Sequence, residues 1–352
     1  MNLEEIRKKI DQTDSELIGL LSKRMSLSIR AGRVKNRIED REREEQILDR
    51  VKSRRDRLIS PTFSEKIYRE IIEESKRLQG KKLKLSGFQG ERGAFGEIAC
   101  TMYSDTTIPV PCVEFSDVFE GVLKGELDYG VVPIENSSEG AITSVSHLVT
   151  ENDLNIVGEV LVRVHHSLLA PPNVGIKDIS VVYSHPQALA QCRNFLARNE
   201  LEPRPYYDTA GAAAMIGRDR PIGAGAIANE VCSDLYGLKV IDDKIEDSKS
   251  NFTRFLVLSR EKGQSDGNKC SITFSTVDKA GALTSILRIF NDAGINLTMI
   301  ESIPSRDSPN KARFLIDFMI QYPGEGAEAI LEKIRNQTSG FKLLGIYRSW
   351  SE

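Results

Sequence analysis

The chain has little to offer metal or redox chemistry: its 352 residues include four histidines and five cysteines. His147, His165, His166 and His185 form no HExxH pattern and have no carboxylates at ligand spacing, so no metal is expected. Cys100, Cys112, Cys192, Cys232 and Cys270 are odd in number, far apart and without a CxxC, which excludes a disulfide framework or zinc ribbon and leaves free thiols. No apolar run approaches the roughly 18 residues of a membrane span. The opening MNLEEIRKKI is charged where a secretory leader is apolar, and a cytoplasmic protein is expected. Charge of one sign is missing too. Lys+Arg is 48 against 51 Asp+Glu, a net of −3, which fits neither a basic nucleic-acid binder nor an acidic disordered chain. At about 150 residues per domain, the length predicts two or three globular domains.

Composition changes along the chain. Residues 1–80 carry a local net charge of +4 against −7 for the remainder, hold one proline (Pro61) and three glycines, and read as nearly pure helix. After Lys82, glycine, valine, proline and aromatics rise, and short β-type runs alternate with helical ones. A polar, glycine-containing stretch at 260–269 marks a second break. The boundaries read are 1–82, 83–262 and 268–352.

In the first segment Leu3, Ile6, Ile10, Thr13, Leu17, Leu20, Arg24, Leu27, Ala31, Val34 and Ile38 step by three and four, the seam of one long helix. Arg24 interrupts that seam. It sets the register of the seam, snorkels outward, or faces a cavity that holds an anion. Lys35 follows it by about three turns, on nearly the same face, whereas Arg7 lies about 25 Å away along a straight helix. If Arg7 serves the same kind of site, it serves that of another chain, which predicts an intertwined dimer. A second helix, 40–58, puts Asp40, Arg43 and Glu44 on one face. A third, from Phe63 after Ser60-Pro61, ends with Ser75 and Gln79 at i, i+4.

The middle segment carries four glycine- or proline-marked pieces: Gly87 to Phe95, Val132 to Gly140 with Asn136 and Ser137, Tyr183 to Gln191 with His185 and Gln187, and Asn251 to Phe255 with Thr253 and Arg254. Loops of this kind after strands converge on anion-binding clefts. The last segment reads as strand 271–277, helix 282–293, strands 296–302 and 312–320, helix 327–338 and strand 342–347, the βαββαβ order of a ferredoxin-like unit.

Taken in order, these motifs resemble a known set. Residues 1–80 are similar to the all-helical chorismate mutase domain at the front of bifunctional phenylalanine-pathway enzymes. The middle resembles prephenate dehydratase, and the C-terminal unit the phenylalanine-binding ACT domain. The resemblance implies an all-α domain, a two-lobed α/β domain like periplasmic binding proteins with its site in the cleft, and an α+β sensor. It implies that Arg24, with Arg7 from a partner, holds the carboxylates of chorismate. Lys35 and Gln79 would face the ether oxygen, Glu44 the ring hydroxyl, and Asp40, Arg43 and Ser75 the rest of the pocket. In the dehydratase it implies Thr253 as the essential residue, with Asn136, Ser137, His185, Gln187, Thr209 and Arg254 near prephenate. In the sensor it implies a phenylalanine site at Gly281, Ala282, Leu283, Asn296, Leu297, Thr298, Glu301 and Ser302, with Glu301 taking the ammonium. The family's usual Glu-Ser-Arg-Pro stands here as Glu301-Ser302-Ile303-Pro304, with Arg306 nearby, and Glu91 stands where a proline is usual.

No cofactor, nucleic acid or membrane is expected as a partner. The partners expected are chorismate, prephenate, L-phenylalanine as effector, and at least a second copy of the chain. Gly223-Ala224-Gly225-Ala226-Ile227-Ala228 with Asp242 imitates a dinucleotide fingerprint, which would make the enzyme a mutase–dehydrogenase. A true fingerprint follows the first strand of its domain, and this one falls deep inside. The remaining alternatives are an arogenate dehydratase and a phenylalanine-responsive regulator without catalysis.

Overall fold

The computed structural model describes residues 2–35, 37–54, 56–263, 266–277, 279–304, 311–320 and 325–350. Arg306 lies outside the described residues. The chain forms two compact units, 1–85 and 86–352.

The first unit is three helices: α1 (Leu3–Val34), α2 (Arg41–Lys52) and α3 (Pro61–Gly80). α1 and α2 are shorter than the sequence pattern predicts, α1 ending at Val34 rather than Ile38, and α3 starts earlier. Asp40 is not helical: its side chain accepts the Arg43 N–H at 3.1 Å and caps α2. α2 stops at Lys52 rather than Leu58, because Asp56 Oδ1 takes the N–H groups of Leu58 and Ile59 and folds that stretch into an Asx turn. α3 begins at Pro61, two residues before the predicted start, with Ser60 accepting from Phe63 N and Pro61 in the first turn, where it lacks no needed N–H. At 1.5 Å per residue α1 is about 48 Å long and α3 about 30 Å. α1 therefore overhangs, and Leu3, Ile6, Ile10, Leu17 and Leu20 along its first half are exposed. The small core gathers Ile29, Leu48, Ile72 and Ser75.

The second unit holds three sheets. The first runs Thr107–Cys112, Lys84–Gln89, Tyr129–Asn136, Phe252–Ser259, Asn155–Arg163, with Gly140–Ala141 paired onto Tyr129–Asn136. The second runs Lys239–Asp242, Ser167–Ala170, Ala224–Ala228, Val181–Ser184, Glu202–Pro205. The chain crosses between these lobes twice, near His165–His166 and again between Asp242 and Phe252, so the two-lobed α/β expectation holds. The crossings are clamped together: His165 Nδ1 lies 2.6 Å from Glu246 Oε1, and His166 N donates to Glu246 Oε2. One apolar core draws on both lobes, with Phe88, Val160 and Phe255 packed beside Ala210, Ala226 and Cys232. All five cysteines are buried and none forms a disulfide, and burial raises the pKa of Cys100, Cys192, Cys232 and Cys270.

The dinucleotide-like glycines do not form a strand-to-helix turn. Gly223 (φ +73°) precedes the strand Ala224–Ala228, and that strand is itself buried throughout.

The third sheet runs Leu297–Pro304, Lys311–Met319, Lys269–Val277, Ser339–Tyr347, with helices Ala282–Asp292 and Glu325–Gln337 on one face, the ferredoxin-like order predicted. Its other face meets the first lobe. Lys342 Nζ donates to Asn152 O at 2.6 Å. A Cβ placed on Gly345 would stand 2.0 Å from the Ile156 carbonyl oxygen, so backbone approaches backbone with no room for a side chain. Replacing Gly345 by alanine is expected to lower stability by about 1–3 kcal/mol, as overpacking does. A thermal melt of Gly345→Ala that matches the parent would contradict this contact.

Candidate active sites

In the helical unit, α1 and α3 bring Arg24 and Ser75 together. Arg24 Nη1 donates to Ser75 Oγ at 2.7 Å, and Ser75 in turn reaches the Ile71 carbonyl. Burial lowers the Arg24 pKa. One turn on, Gln79 Nε2 donates to the Ser28 carbonyl at 2.8 Å, and its Oε1 is buried without a hydrogen-bond partner. Gly32 makes this possible: its missing Cβ would lie 2.8 Å from Gln79 Cγ. Glu44 pairs with Lys76 at 3.3 Å and Lys35 with Asp40 at 3.5 Å. Arg43 turns to Gln46. Arg7 is exposed on the overhanging part of α1. The helices thus gather Arg24, Ser75 and Gln79 directly, with Glu44, Lys35 and Asp40 held in ion pairs.

The cleft of the second unit is organised by amides whose direction is fixed. The Ser138 backbone N–H can only donate, and it donates to Asn136 Oδ1 at 2.9 Å. Asn136 Nδ2 therefore points the other way, to Thr253 Oγ1 at 2.9 Å and Asn251 Oδ1 at 2.9 Å. That sets Asn251 Nδ2 on Gln191 Oε1 at 3.0 Å. Gln191 Oε1 is then an acceptor for His166 Nε2 at 2.9 Å, so His166 is the Nε2–H tautomer and its buried Nδ1 is a bare lone pair without a partner. Burial lowers the His166 pKa, and the hydrogen bond to Gln191 only partly opposes this. At the other end of the chain of bonds, Thr253 Oγ1 receives a hydrogen bond from Asn136 and keeps its own hydrogen to donate.

The other expected residues are placed as follows. Ser137 Oγ donates to Ser250 O and accepts from Phe252 N, both at 2.9 Å, so its hydroxyl pins the returning strand. His185 Nδ1 accepts the Gln187 N–H at 3.3 Å and caps the helix Pro186–Gln191, which leaves only Nε2 for other work. Thr209 opens the helix Thr209–Asp219, capped by Asp208 Oδ1 on Gly211 N. Asp208 Oδ2 would lie 3.1 Å from a Cβ on Gly90, whose φ of +116° itself demands glycine. Burial raises the Asp208 pKa against the Gly211 hydrogen bond, with Glu91 adding to the rise. Arg254 does not join the cleft network. Its buried guanidinium pairs with Glu159 and Asp317 on the face toward the third sheet, because neighbours on a strand point to opposite sides.

Asn251, Gln191 and His166 are not among the site residues expected from the sequence, although two of them carry a signal. Asn251 lies two residues from Thr253, on the same strand face, and His166 continues the inward run Val160, Val162, Val164.

In the third domain, Gly281 (φ +85°) precedes the helix Ala282–Asp292; the Ala282 N–H donates to the Lys279 carbonyl at 3.0 Å, and the Leu283 amide lies where helical acceptors run out. Asn296, Thr298 and Ser302 are exposed and Leu297 is half-buried. Glu301 pairs in register with Leu315, on the face away from the helices, and its carboxylate accepts from Ser146 Oγ at 2.5 Å. Within one chain it is therefore engaged with the first lobe and not with the Gly281 helix end. Among the described residues no group of three His, Cys, Asp or Glu can hold a metal ion, and no helix is long and apolar enough to cross a membrane.

Three family models match in order: chorismate mutase type II over residues 6–80, prephenate dehydratase over 86–263 and the ACT domain over 271–337. A bifunctional chorismate mutase/prephenate dehydratase of Aquifex aeolicus is 34% identical over 98% of this chain and 97% of its own length. The chain belongs to the bifunctional chorismate mutase/prephenate dehydratase family. The family's order of a helical mutase domain, a two-lobed dehydratase domain and an ACT domain is the order found here. Among solved structures, prephenate dehydratase from Arthrobacter aurescens in complex with L-Phe has a TM-score of 0.69 at 29% identity, covering 75% of this chain and 89% of that one. A protein described as GqqA, a quorum-quenching acylase, has a TM-score of 0.70 at 29% identity, covering 76% and 98%. One fold thus carries different names, and the site has to decide the chemistry.

The bond directions make a spectroscopic prediction. At pH 6.5, near the midpoint of a free histidine, His166 is expected to be neutral with its hydrogen on Nε2. Long-range 1H–15N spectra that show His166 as imidazolium or as the Nδ1–H tautomer would overturn the network. Because its folded pKa is depressed, the contribution of His166 to stability is full above about 6.5 and falls away as pH drops through the lower folded value.

Proposed function

We propose that the chain converts chorismate to prephenate in its helical domain and prephenate to phenylpyruvate in the two-lobed cleft, in the cytoplasm, under feedback by L-phenylalanine. The observation that carries the second step is the Thr253 hydroxyl, fixed by Asn136 with its hydrogen free.

The mutase reaction is an intramolecular rearrangement, with no nucleophile and no proton transfer. The protein can only hold the compact conformer and stabilise charge on the breaking C–O bond. Arg24, steadied by Ser75, suits a carboxylate through its guanidinium fork. Gln79 spends one Nε2 hydrogen on Ser28 and has a second for the ether oxygen beside Lys35. Glu44 accepts from the ring hydroxyl. The exposed apolar residues along the overhanging half of α1 support a dimer in which Arg7 enters the partner's pocket.

In the cleft, the C–CO2 bond breaks, its electron pair aromatises the ring, and the ring hydroxyl leaves as water with one proton. Prephenate plus a proton gives phenylpyruvate, carbon dioxide and water. Thr253 donates a hydrogen bond to that departing oxygen, where charge develops. Too weak an acid to give up its proton outright, it serves as a donor while the proton comes from solvent. The neutral amides of Asn136, Asn251 and Gln191 hold it without adding charge. For the sensor, the Leu283 amide at the Gly281 helix end suits the carboxylate of an amino acid.

Product analysis with chorismate and no nicotinamide is expected to give phenylpyruvate, and less of it with L-phenylalanine present. Accumulation of prephenate would sink the dehydratase assignment. Thr253→Val is expected to lower dehydratase kcat by about 100-fold, the effect of losing one such donor, with mutase turnover unchanged. Leu17→Glu with Leu20→Glu is expected to give a monomer in sedimentation, with mutase activity lost. A monomeric, fully active mutase would remove the shared pocket.

A further inference from the structure

Arg254 is next to Thr253 in sequence and faces away from it. Its fork is fully occupied. Nε donates to Glu159 Oε2 at 2.7 Å, and Nη2 to Asp317 Oδ2 at 2.5 Å and Tyr347 Oη at 3.1 Å. Nη1 approaches Met299 Sδ at 3.7 Å and Glu135 Oε2 at 3.9 Å. Lys269 Nζ completes the cluster on Glu159 at 2.8 Å, and Ser271 Oγ lies 2.8 Å from Tyr347 Oη. Arg254, Glu159, Lys269, Asp317, Ser271 and Tyr347 are all buried. Burial opposes the charge on Arg254, and Asp317, Tyr347 and Glu159 outweigh it, so its pKa lies above the ordinary value.

Two facts separate this cluster from ordinary core stabilisation. An apolar group of equal volume is often as stabilising as a buried ion pair, so stability alone does not account for it. The strand ladder is also irregular at this point. Arg254 lies opposite Glu135 and Phe255 opposite Pro133, leaving Ile134 as an extra residue. Pro133 has no N–H to give the ladder, and a bulge re-aims the side chains beside it. On its other edge the segment keeps a regular ladder, Thr253 opposite Val162 and Arg254 opposite Leu161, so the bulge loosens pairing on the Tyr129–Asn136 side alone, and the anchored guanidinium adds a constraint on that side.

We propose that Arg254 is a positioning residue for Thr253, and that the C-terminal domain completes its seat through Asp317 and Tyr347. The docked C-terminal domain then contributes to the rate of dehydration through the Nη2 contacts. The sensor strand shares this seat, since Met299 lies opposite Asp317 in register. The same strand carries Glu301 to Ser146, on the helix Thr143–Glu151 that follows the strand paired with Asn136. The proposal rests on the reading that Thr253 acts on the departing hydroxyl.

The test uses the full chain with prephenate. Asp317→Asn, equal in size, is expected to lower dehydratase kcat at least tenfold with KM within twofold, while mutase kcat in the same sample stays within twofold. The double variant Arg254→Met with Asp317→Leu is expected to melt at or above the temperature of Asp317→Asn and to remain slow. Dehydratase kcat within twofold of the parent in Asp317→Asn would overturn the proposal, as would recovery of kcat together with melting temperature in the double variant. If Asp317→Asn unfolds the second unit, Arg254→Lys, which keeps the charge and loses the fork, takes its place with the same expectations. Thr253→Val run alongside separates the two ideas. Full activity there removes the reading of the site, whereas loss there with a normal Asp317→Asn removes only the positioning role.

Discussion

The direction of one hydrogen bond governs the dehydratase cleft. The Ser138 backbone N–H has no acceptor mode, so Asn136 presents its oxygen to it and its nitrogen to Thr253 and Asn251. Each following amide inherits its orientation from the one before, and the last fixes a proton on His166 Nε2. The relay fixes the Thr253 hydroxyl as an acceptor from Asn136 and leaves its own hydrogen to donate, using neutral groups alone. Neutral amides hold their geometry without the desolvation cost of buried charge.

The opposite face of the same strand is handled with charge. Glu159 accepts from both Arg254 and Lys269, and these cations keep its pKa below the carboxylate range although burial alone would raise it. Removing one partner from such a cluster leaves an uncompensated buried ion, at a cost of about 3–5 kcal/mol. The two faces of one strand thus carry different loads. The cleft face sets a hydroxyl by polar relay, and the rear face fastens the strand to the C-terminal sheet. The mutase pocket follows a third pattern, in which long helices bring Arg24 and Ser75 together with little core beneath them.

Much of this was legible beforehand. The three- and four-residue steps of α1, the Ser60-Pro61 start of α3 and the βαββαβ order of the last domain follow from local periodicity and capping, which act over a few residues. The misread helix ends have the same local origin, since Asp40 and Asp56 turned their side chains onto backbone amides instead of continuing a helix. The family resemblance implies Arg254 near prephenate together with Thr253. Strand alternation sends the two apart, and what Arg254 meets instead lies more than 60 residues further along the chain, at Asp317.

Sequence alone determined the domain order, the helical and strand periods, and the residue types that suit a dianionic substrate, because these depend on neighbours within a turn or a strand. Tertiary structure alone decided which of those residues share a site. Gln191, Asn251 and Asn136 become one relay only when two chain crossings bring them within hydrogen-bond distance. Glu301 and Arg254 become contacts between domains only when the C-terminal sheet packs on the first lobe, because a hydrogen bond or ion pair depends on separation in space and takes no account of separation along the chain.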